Sequence, residues 1–353
     1  MNLEETFLRL SPTDPAFPNI SVKDYISIYK NLKLYFDTYV HPEIKTKILE
    51  IEKSGYYNDH GVEHIKMVIQ RVSWMLDLLD SNFLNSYESF ILLVAINLHD
   101  AGHLISSREE HAKKGRELLA RFDTGGNLDA SEKKIIGLIA QAHSGKNDNP
   151  IGNLETVTHL SHKDIRPQFL AALLRLGDEL AEDKTRASQF LLKLEDQGLM
   201  SSIEPTSEIF HRFSSSLDSI KLAGKEIKMK FYVQDSQLIK EYPMKLKNGS
   251  EVKRFLIDEI YERTKKTFLE ALYCGRFLPE PLRFNAVKVE IDLLDAFHTD
   301  VHKPIKYELK EEGYPILPNS DIFEICSTLK TQTGDKIDGA YIKTQLSQNE
   351  ESV

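Results

Sequence analysis

Cysteine is nearly missing from this 353-residue chain. The two present, Cys274 and Cys326, cannot build a disulfide framework and fit a reducing compartment. No apolar run approaches the roughly 18 residues of a membrane span. The N-terminal "MNLEETFLRLSPTDPAFPN" lacks the basic start and apolar centre of a secretory signal. A soluble, cytoplasmic chain without a membrane partner is expected. Basic excess is also lacking: the formal net charge is -9. That argues against gripping long nucleic acid through a generalised basic surface, while leaving local basic pockets open. Internal repeats and low-complexity tracts are absent. What remains is an ordinary globular balance, 41% hydrophobic and 28% charged, in a length that allows two domains and a large buried core.

From Val22 to about Glu195 the period is helical. "VKDYISIYKNLKLYFDTYV", "HIKMVIQRVSWMLDLLD", "SYESFILLVAINLHD", "EEHAKKGRELLARF", "ASEKKIIGLIAQAH" and "RPQFLAALLRLGDELAED" each place apolar residues three and four apart. Gly, Asn, Asp and Pro fill the connections, and Asp129 or Ser131 is placed to cap the helix that follows. Beyond "DQGLMSSIEPTSE" the period changes. "IKMKFYV" and "AVKVEIDLL" alternate like strands, and "SEVKRFLIDEIYERTKKTFLEAL" between them reads as one amphipathic helix. The expected fold class is mainly α: an all-helical bundle over residues 1–202, a smaller α+β domain over 203–330, and a polar C-terminal tail over 331–353 whose end, "KTQLSQNEESV", is expected to fray.

One apolar helix ends on chemistry. "ILLVAINLHDAGHLISS" runs through core side chains from Phe90 to Ile96 and stops on "HDAGH". An imidazole and a carboxylate at a helix end suit zinc, manganese or iron. Taken singly, the histidines read blandly. His111 in "SREEHAKKGRELL" would be solvated, and His143 in "LIAQAHSG" would be a cation favoured by the helix dipole. Asp178, after "FLAALLRL", is harder to dismiss, because a carboxylate so deep in an apolar helix needs a compensating partner.

The order His64, His99-Asp100, His111, His143, Asp178, each on its own helix or helix end, resembles the HD superfamily of metal-dependent phosphohydrolases over roughly Tyr56 to Arg186. The resemblance implies that His64, His99, Asp100 and Asp178 hold a first divalent ion. His111 and His143 would hold a second, with Asp100 bridging. The fullest two-metal patterns have a histidine pair where this chain has only His143, so one or two ions per chain (Mn, Fe, Zn, Mg or mixed) are implied. His60, one turn before His64 in "HGVEH", resembles the histidine that protonates the leaving oxygen in cyclic-nucleotide phosphodiesterases, and with Asp100 completes the expected catalytic pair. Gly102 is expected to turn the chain, leaving His103 to face the cleft.

For an anionic substrate, His103, Lys146, Arg175, Lys184 and Arg186 are the expected contacts. Arg supplies a bidentate fork and Lys a point charge, although same-helix salt bridges to Glu179, Glu182 or Asp183 compete for Arg175, Lys184 and Arg186. The implied activity is hydrolysis of a nucleotide-type phosphate ester through a metal-activated hydroxide, on a cyclic nucleotide or cyclic dinucleotide. A nucleoside tri- or monophosphate is the alternative substrate. A catalytically weak nucleotide-sensing module and a nuclease are competing readings, the last weakened by Asp258, Glu259 and Glu262 within "KRFLIDEIYERTKK". The expected partner is a small phosphorylated substrate. Oligomeric state is not readable.

Overall fold

The computed structural model describes residues 2–44, 61–80, 83–106, 110–123, 125–145, 149–184, 192, 205–245, 250–295, 303–313, 316 and 319–350. The chain forms two compact units. The first comprises Met1–Ile51, Asp59–Ala181 and Tyr273–Arg283. Its main elements are α1 (Leu3–Leu8), α2 (Tyr25–Tyr35), α3 (Val62–Leu76), α4 (Ser86–Leu98), α5 (His111–Phe122), α6 (Ala130–Gln141), a short antiparallel hairpin of β1 (Thr158–Leu160) and β2 (Lys163–Ile165), and α7 (Pro167–Glu179). These match the helical segments read from the period; the hairpin was not expected.

Helix α4 is the axis of this unit. Every residue after its first is buried, as an all-round apolar sequence requires. Asn85 and Glu88 form a capping box at its start. Glu88 also receives Arg166 Nε at 2.8 Å and Nη2 at 2.7 Å, and the Arg166 guanidinium stacks on Phe83 and Phe169. Arg166 precedes Pro167, the first residue of α7, where a proline needs no hydrogen-bond partner. One ion pair thus ties the beginnings of α4 and α7, helices of equal length, 13 residues each. At their other ends stand His99-Asp100 and Asp178.

A second buried carboxylate fixes α6. Glu132 is fully buried, completes the capping box with Asp129, and accepts from Tyr25 Oη at 2.8 Å, Tyr87 Oη at 2.9 Å and Lys23 Nζ at 2.8 Å. Around it pack Phe7, Phe17, Tyr25, Tyr29 and Phe90, mostly edge to face. Trp74 is half-buried, with the Arg71 guanidinium 4.1 Å over its ring.

The second unit comprises Glu52–Asn58, Glu182–Leu272 and Phe284–Val353. It contains α8 (Glu208–Ser216) and a four-stranded sheet in the order β3-β4-β7-β8: Leu217–Ala223, Glu226–Gln234, Ala286–Leu294 and Ile305–Lys310. The two strands read from alternation, β4 and β7, are parallel neighbours in register Met229↔Val289; the outer pairs are antiparallel. Ile227, Met229, Phe231 and Val233 bury one face. A separate hairpin joins β5 (Glu241–Lys245) to β6 (Glu251–Phe255), followed by α9 (Leu256–Gly275) and, near the C-terminus, α10 (Gly339–Glu350).

Three expectations need correction. The segment read as one helix is a strand and then a helix, because Glu251–Phe255 pairs with Glu241–Lys245 and pairing overrides local period. The chain divides at Ala181 rather than at 202, and Tyr273–Arg283 returns to the helical unit, where Tyr273 Oη receives the Ile151 amide at 3.0 Å. Residues 331–353 are not simply a frayed tail, since α10 lies within them and Gly339 N donates to Asp258 Oδ1 at 2.9 Å. Both cysteines are buried and free.

Candidate metal centre

Six ligand-type side chains, distant in sequence, converge in the helical unit. They form two groups whose donor atoms lie within 4.8 Å of one another: His64, His99 and Asp178, then Asp100, His111 and His143. His64 comes from the first turn of α3 and His111 from the first residue of α5; His99-Asp100, His143 and Asp178 come from the C-terminal ends of α4, α6 and α7. Three helix C-termini, each carrying partial negative charge, therefore meet at one place, which favours a cation.

The distances divide the carboxylate of Asp100 between the groups. Its Oδ2 lies 3.2 Å from His99 Nε2 and 3.7 Å from His64 Nε2. Its Oδ1 lies 3.4 Å from His111 Nε2 and 3.6 Å from His143 Nε2. Asp178 Oδ1 closes the first group at 3.1 Å from His64 and 3.7 Å from His99. In the second group His111 Nε2 and His143 Nε2 are 3.1 Å apart. Donors about 2.0–2.2 Å from one ion stand roughly 3.0–3.5 Å from each other, so the spacings fit ligands gathered around an ion.

Tautomers support the same reading. His99 Nδ1 bonds the Ile96 carbonyl at 2.7 Å, and His143 Nδ1 bonds the Ala140 carbonyl at 2.6 Å. Each imidazole uses the carbonyl three residues back at its own helix end, which places a proton on Nδ1 and turns Nε2 toward the group. His99 Nε2 is buried and makes no hydrogen bond among the described residues. A buried imidazole nitrogen facing two carboxylates is, once deprotonated, the donor chemistry a divalent cation satisfies.

Charge is arranged unequally. Burial opposes protonation of His99, but the carboxylates of Asp100 and Asp178 outweigh it and hold its pKa well above the ordinary value. Burial likewise opposes the charge of Asp178, yet His64 and His99 keep its carboxyl well below the usual carboxylate range. His143 is pushed down to about 3 by burial and by the neighbouring His99 and His111. At neutral pH the metal-free protein therefore carries a proton on His99 and none on His143 Nε2. A folded pKa raised this way contributes stability below the unfolded value near 6.5 and loses it as pH rises through the raised value. Loading an ion on the His99 group must displace that proton. Its apparent affinity is expected to rise about tenfold per pH unit near neutrality, with about one proton released, whereas His143 contributes none. Calorimetry in buffers of different ionisation enthalpy measures this; zero release removes the assignment.

Two close approaches hold the ligands in place. A Cβ on Gly102 would stand 1.9 Å from the carbonyl oxygen of His111. Gly102 lies in a short 3-10 turn, Ala101–Leu104, without a left-handed backbone, so it is needed for contact with α5 and not for the chain turn expected of it. Gly102→Ala is expected to push His111 out of its group, reducing bound metal by at least one equivalent in elemental analysis and lowering Tm by several degrees. Gly177, beside Asp178, sits where a Cβ would meet Val72 Cγ2 at 2.6 Å, drawing α7 onto α3. Arg71, two turns after His64, donates Nε to the Leu180 carbonyl at 2.8 Å and so caps α7.

The remaining expected contacts are scattered. His103 is buried, its ring stacked on His111 at 4.0 Å and its Nε2 3.9 Å from Asp100 Oδ1. Arg175 is buried too; it donates to the Ala142 carbonyl at 3.3 Å and stacks on Tyr273, holding the end of α6 next to His143. Lys184 is exposed and belongs to the second unit. His60, Lys146 and Arg186 lie outside the described residues. Gly177, Arg71, Glu88 and Arg166 escaped the sequence reading, and Gly102 was read there only as a turn. Only the Glu88 capping box and the Pro167 helix start left a local signal.

No helix among the described residues is long and apolar enough to cross a membrane. No curated protein matches the chain. A family model described as HD-CE, an HD domain family, matches residues 54–242. That span exceeds half the chain and contains all six converging ligands, in the order and on the helix ends just described: the chain belongs to the HD-CE family.

Proposed function

We propose that this protein is a metal-dependent phosphohydrolase acting on a nucleotide-type phosphate ester, with a cyclic nucleotide or cyclic dinucleotide as substrate. The observation that carries the reading is Asp100, whose two oxygens face two separate imidazole groups. His64, His99, Asp178 and Asp100 would hold one divalent ion; Asp100, His111 and His143 a second. Such ions lower the pKa of coordinated water and withdraw charge from phosphoryl oxygens.

The chain's own residues position and protonate. His99 and His143 keep their protons at Nδ1, committed to helix carbonyls, so neither ring rotates as ligands load. The stacked His103 packs against the imidazole of His111, and its Nε2, near Asp100, is the nearest further donor for a phosphoryl oxygen. Arg175 acts through His143 by holding the end of α6. His60 donates a proton to the leaving oxygen, and Lys146 contacts phosphate.

The test is a hydrolysis panel with Mn²⁺ or Mg²⁺ over cyclic mononucleotides, cyclic dinucleotides, nucleoside triphosphates and monophosphates. Phosphodiester cleavage with two ions per chain, reduced roughly 10²-fold or more by His60→Ala, is the expected result. One tightly held ion with triphosphate turnover would shift the substrate to the nucleoside triphosphate alternative. No turnover, with nucleotide binding unchanged in Asp100→Ala, would make the domain a sensor instead.

A further inference from the structure

Away from the metal centre, the helical unit holds a second pocket, of about 270 Å³, whose lining includes Arg166, Arg276 and Arg283 with Phe83, Phe169 and Phe277. Among the described residues no acidic one lines it, in a chain whose formal net charge is -9. Arg166 is neutralised by Glu88. The other two cations are open: among the described residues the Arg276 side chain makes no hydrogen bond or ion pair, and Arg283 donates only Nε, to the Leu278 carbonyl at 2.9 Å. Arg276 lies over the Phe277 ring and Arg283 keeps both terminal amino groups unbonded among the described residues, so an anion in the pocket accepts charge-assisted hydrogen bonds from either.

The walls are already built. Gln168 Nε2 bonds the Leu154 carbonyl at 2.8 Å and its Oε1 accepts from Thr156 Oγ1 at 3.0 Å, while Arg166 rests against Phe83 and Phe169, whose rings meet edge to face at 5.4 Å. Little ordering is then required on binding. Phe83 and Phe277 are partly exposed and offer ring surface on which a flat base stacks, while Phe169 is buried. The volume falls below the roughly 300–1,000 Å³ of pockets for drug-sized ligands, which suits one base with one phosphate and not an oligomer. Phe169 and Asp178 are nine residues apart on α7, about 14 Å along the helix axis.

We infer that this pocket is a binding site for a nucleoside monophosphate, separate from the metal centre, with Arg276 and Arg283 holding the phosphate and the phenylalanine walls holding the base. The site lies beside the Glu88–Arg166 ion pair, where α4 and α7, two of the three helices that end in candidate metal ligands, begin. A ligand there bears on the start of both.

The test uses the full chain stripped of metal with a chelator, so that binding is read apart from any hydrolysis. Calorimetric titration with AMP, GMP, CMP and UMP, and with inorganic phosphate, is expected to show one nucleotide per chain at a Kd of roughly 100 µM or below. Arg276→Ala and Arg283→Ala, both surface changes with circular dichroism unaltered, are each expected to weaken it by about tenfold or more. The inference is overturned by no binding of any of the four nucleotides at millimolar concentration. Unchanged affinity in the double variant, or phosphate binding as tightly as the nucleotides, overturns it equally.

Discussion

Asp100→Ala is expected to leave a folded protein that has lost the second ion, binds the first weakly, and hydrolyses phosphate esters roughly 10³-fold or more slowly than the parent. The size of the effect follows from the division of one carboxylate. Oδ1 serves His111 and His143, and Oδ2 serves His99 and His64. Among the described residues no other acidic side chain joins the second group, so without Asp100 it keeps only the imidazoles of His111 and His143. The first keeps His64, His99 and Asp178 but loses the negative charge nearest His99 Nε2. Asp100→Asn, of equal size, separates charge from packing. It is expected to lose metal nearly as completely while keeping the parent Tm. Elemental analysis of the purified variants, beside thermal melts, reads both. Two tightly held ions in Asp100→Ala would sink the bridging assignment.

Glu132→Ala is expected to destabilise the helical unit by about 3–5 kcal/mol, the usual scale for removing one partner from a buried charged network. At about 2–4 °C per kcal/mol for a domain of this size, Tm falls by roughly 10 °C. Glu132 ends four interactions at once: two phenols, the Lys23 ammonium and the Asp129 amide. Burial first, and then the Glu132 charge, push the Tyr25 and Tyr87 phenols up, so both remain protonated donors at any working pH. Without the carboxylate the two buried phenols lose their charged acceptor, and Lys23 keeps only Asp129, at 3.0 Å. Glu132→Gln keeps the size and part of the bonding, and a smaller loss is expected. Urea unfolding measures the difference; a change below about 1 kcal/mol in Glu132→Ala would show that the network contributes specificity rather than stability. Metal content is expected to survive in both variants, because the ligands come from the opposite end of α6.

How much of this was legible depends on the distance over which each feature is decided. Helices α3 to α7 were legible because their apolar stripes are periodic, and the ligand order was legible because each ligand stands at the start or end of such a stripe. The strand Glu251–Phe255 was not. Its pairing with Glu241–Lys245 is a contact between segments, and the residues joined to it in sequence continue as a real helix. Glu132 was legible only as a third-position acid after Asp129, a pattern that on a surface helix is solvated; burial came from Tyr25 and Tyr87 on other elements. Gly102 was read as a turn because glycine ends helices, but its necessity comes from the His111 carbonyl standing where a Cβ would be.

By itself the sequence determined the kinds of donor, their order, and the helices that carry them, because composition and period are local properties of the chain. Only the tertiary structure decided that His64 and Asp178, 3.1 Å apart, would meet, that Asp100 would turn one oxygen to each group, and that three helix C-termini would point at one place. Those outcomes depend on how closely α3, α4, α5 and α7 approach, which is set by side chains absent at Gly102 and Gly177 and by buried ion pairs at the far ends of the helices. Convergence is a property of packing, and packing is resolved only when all the surfaces that compete for the core are present together.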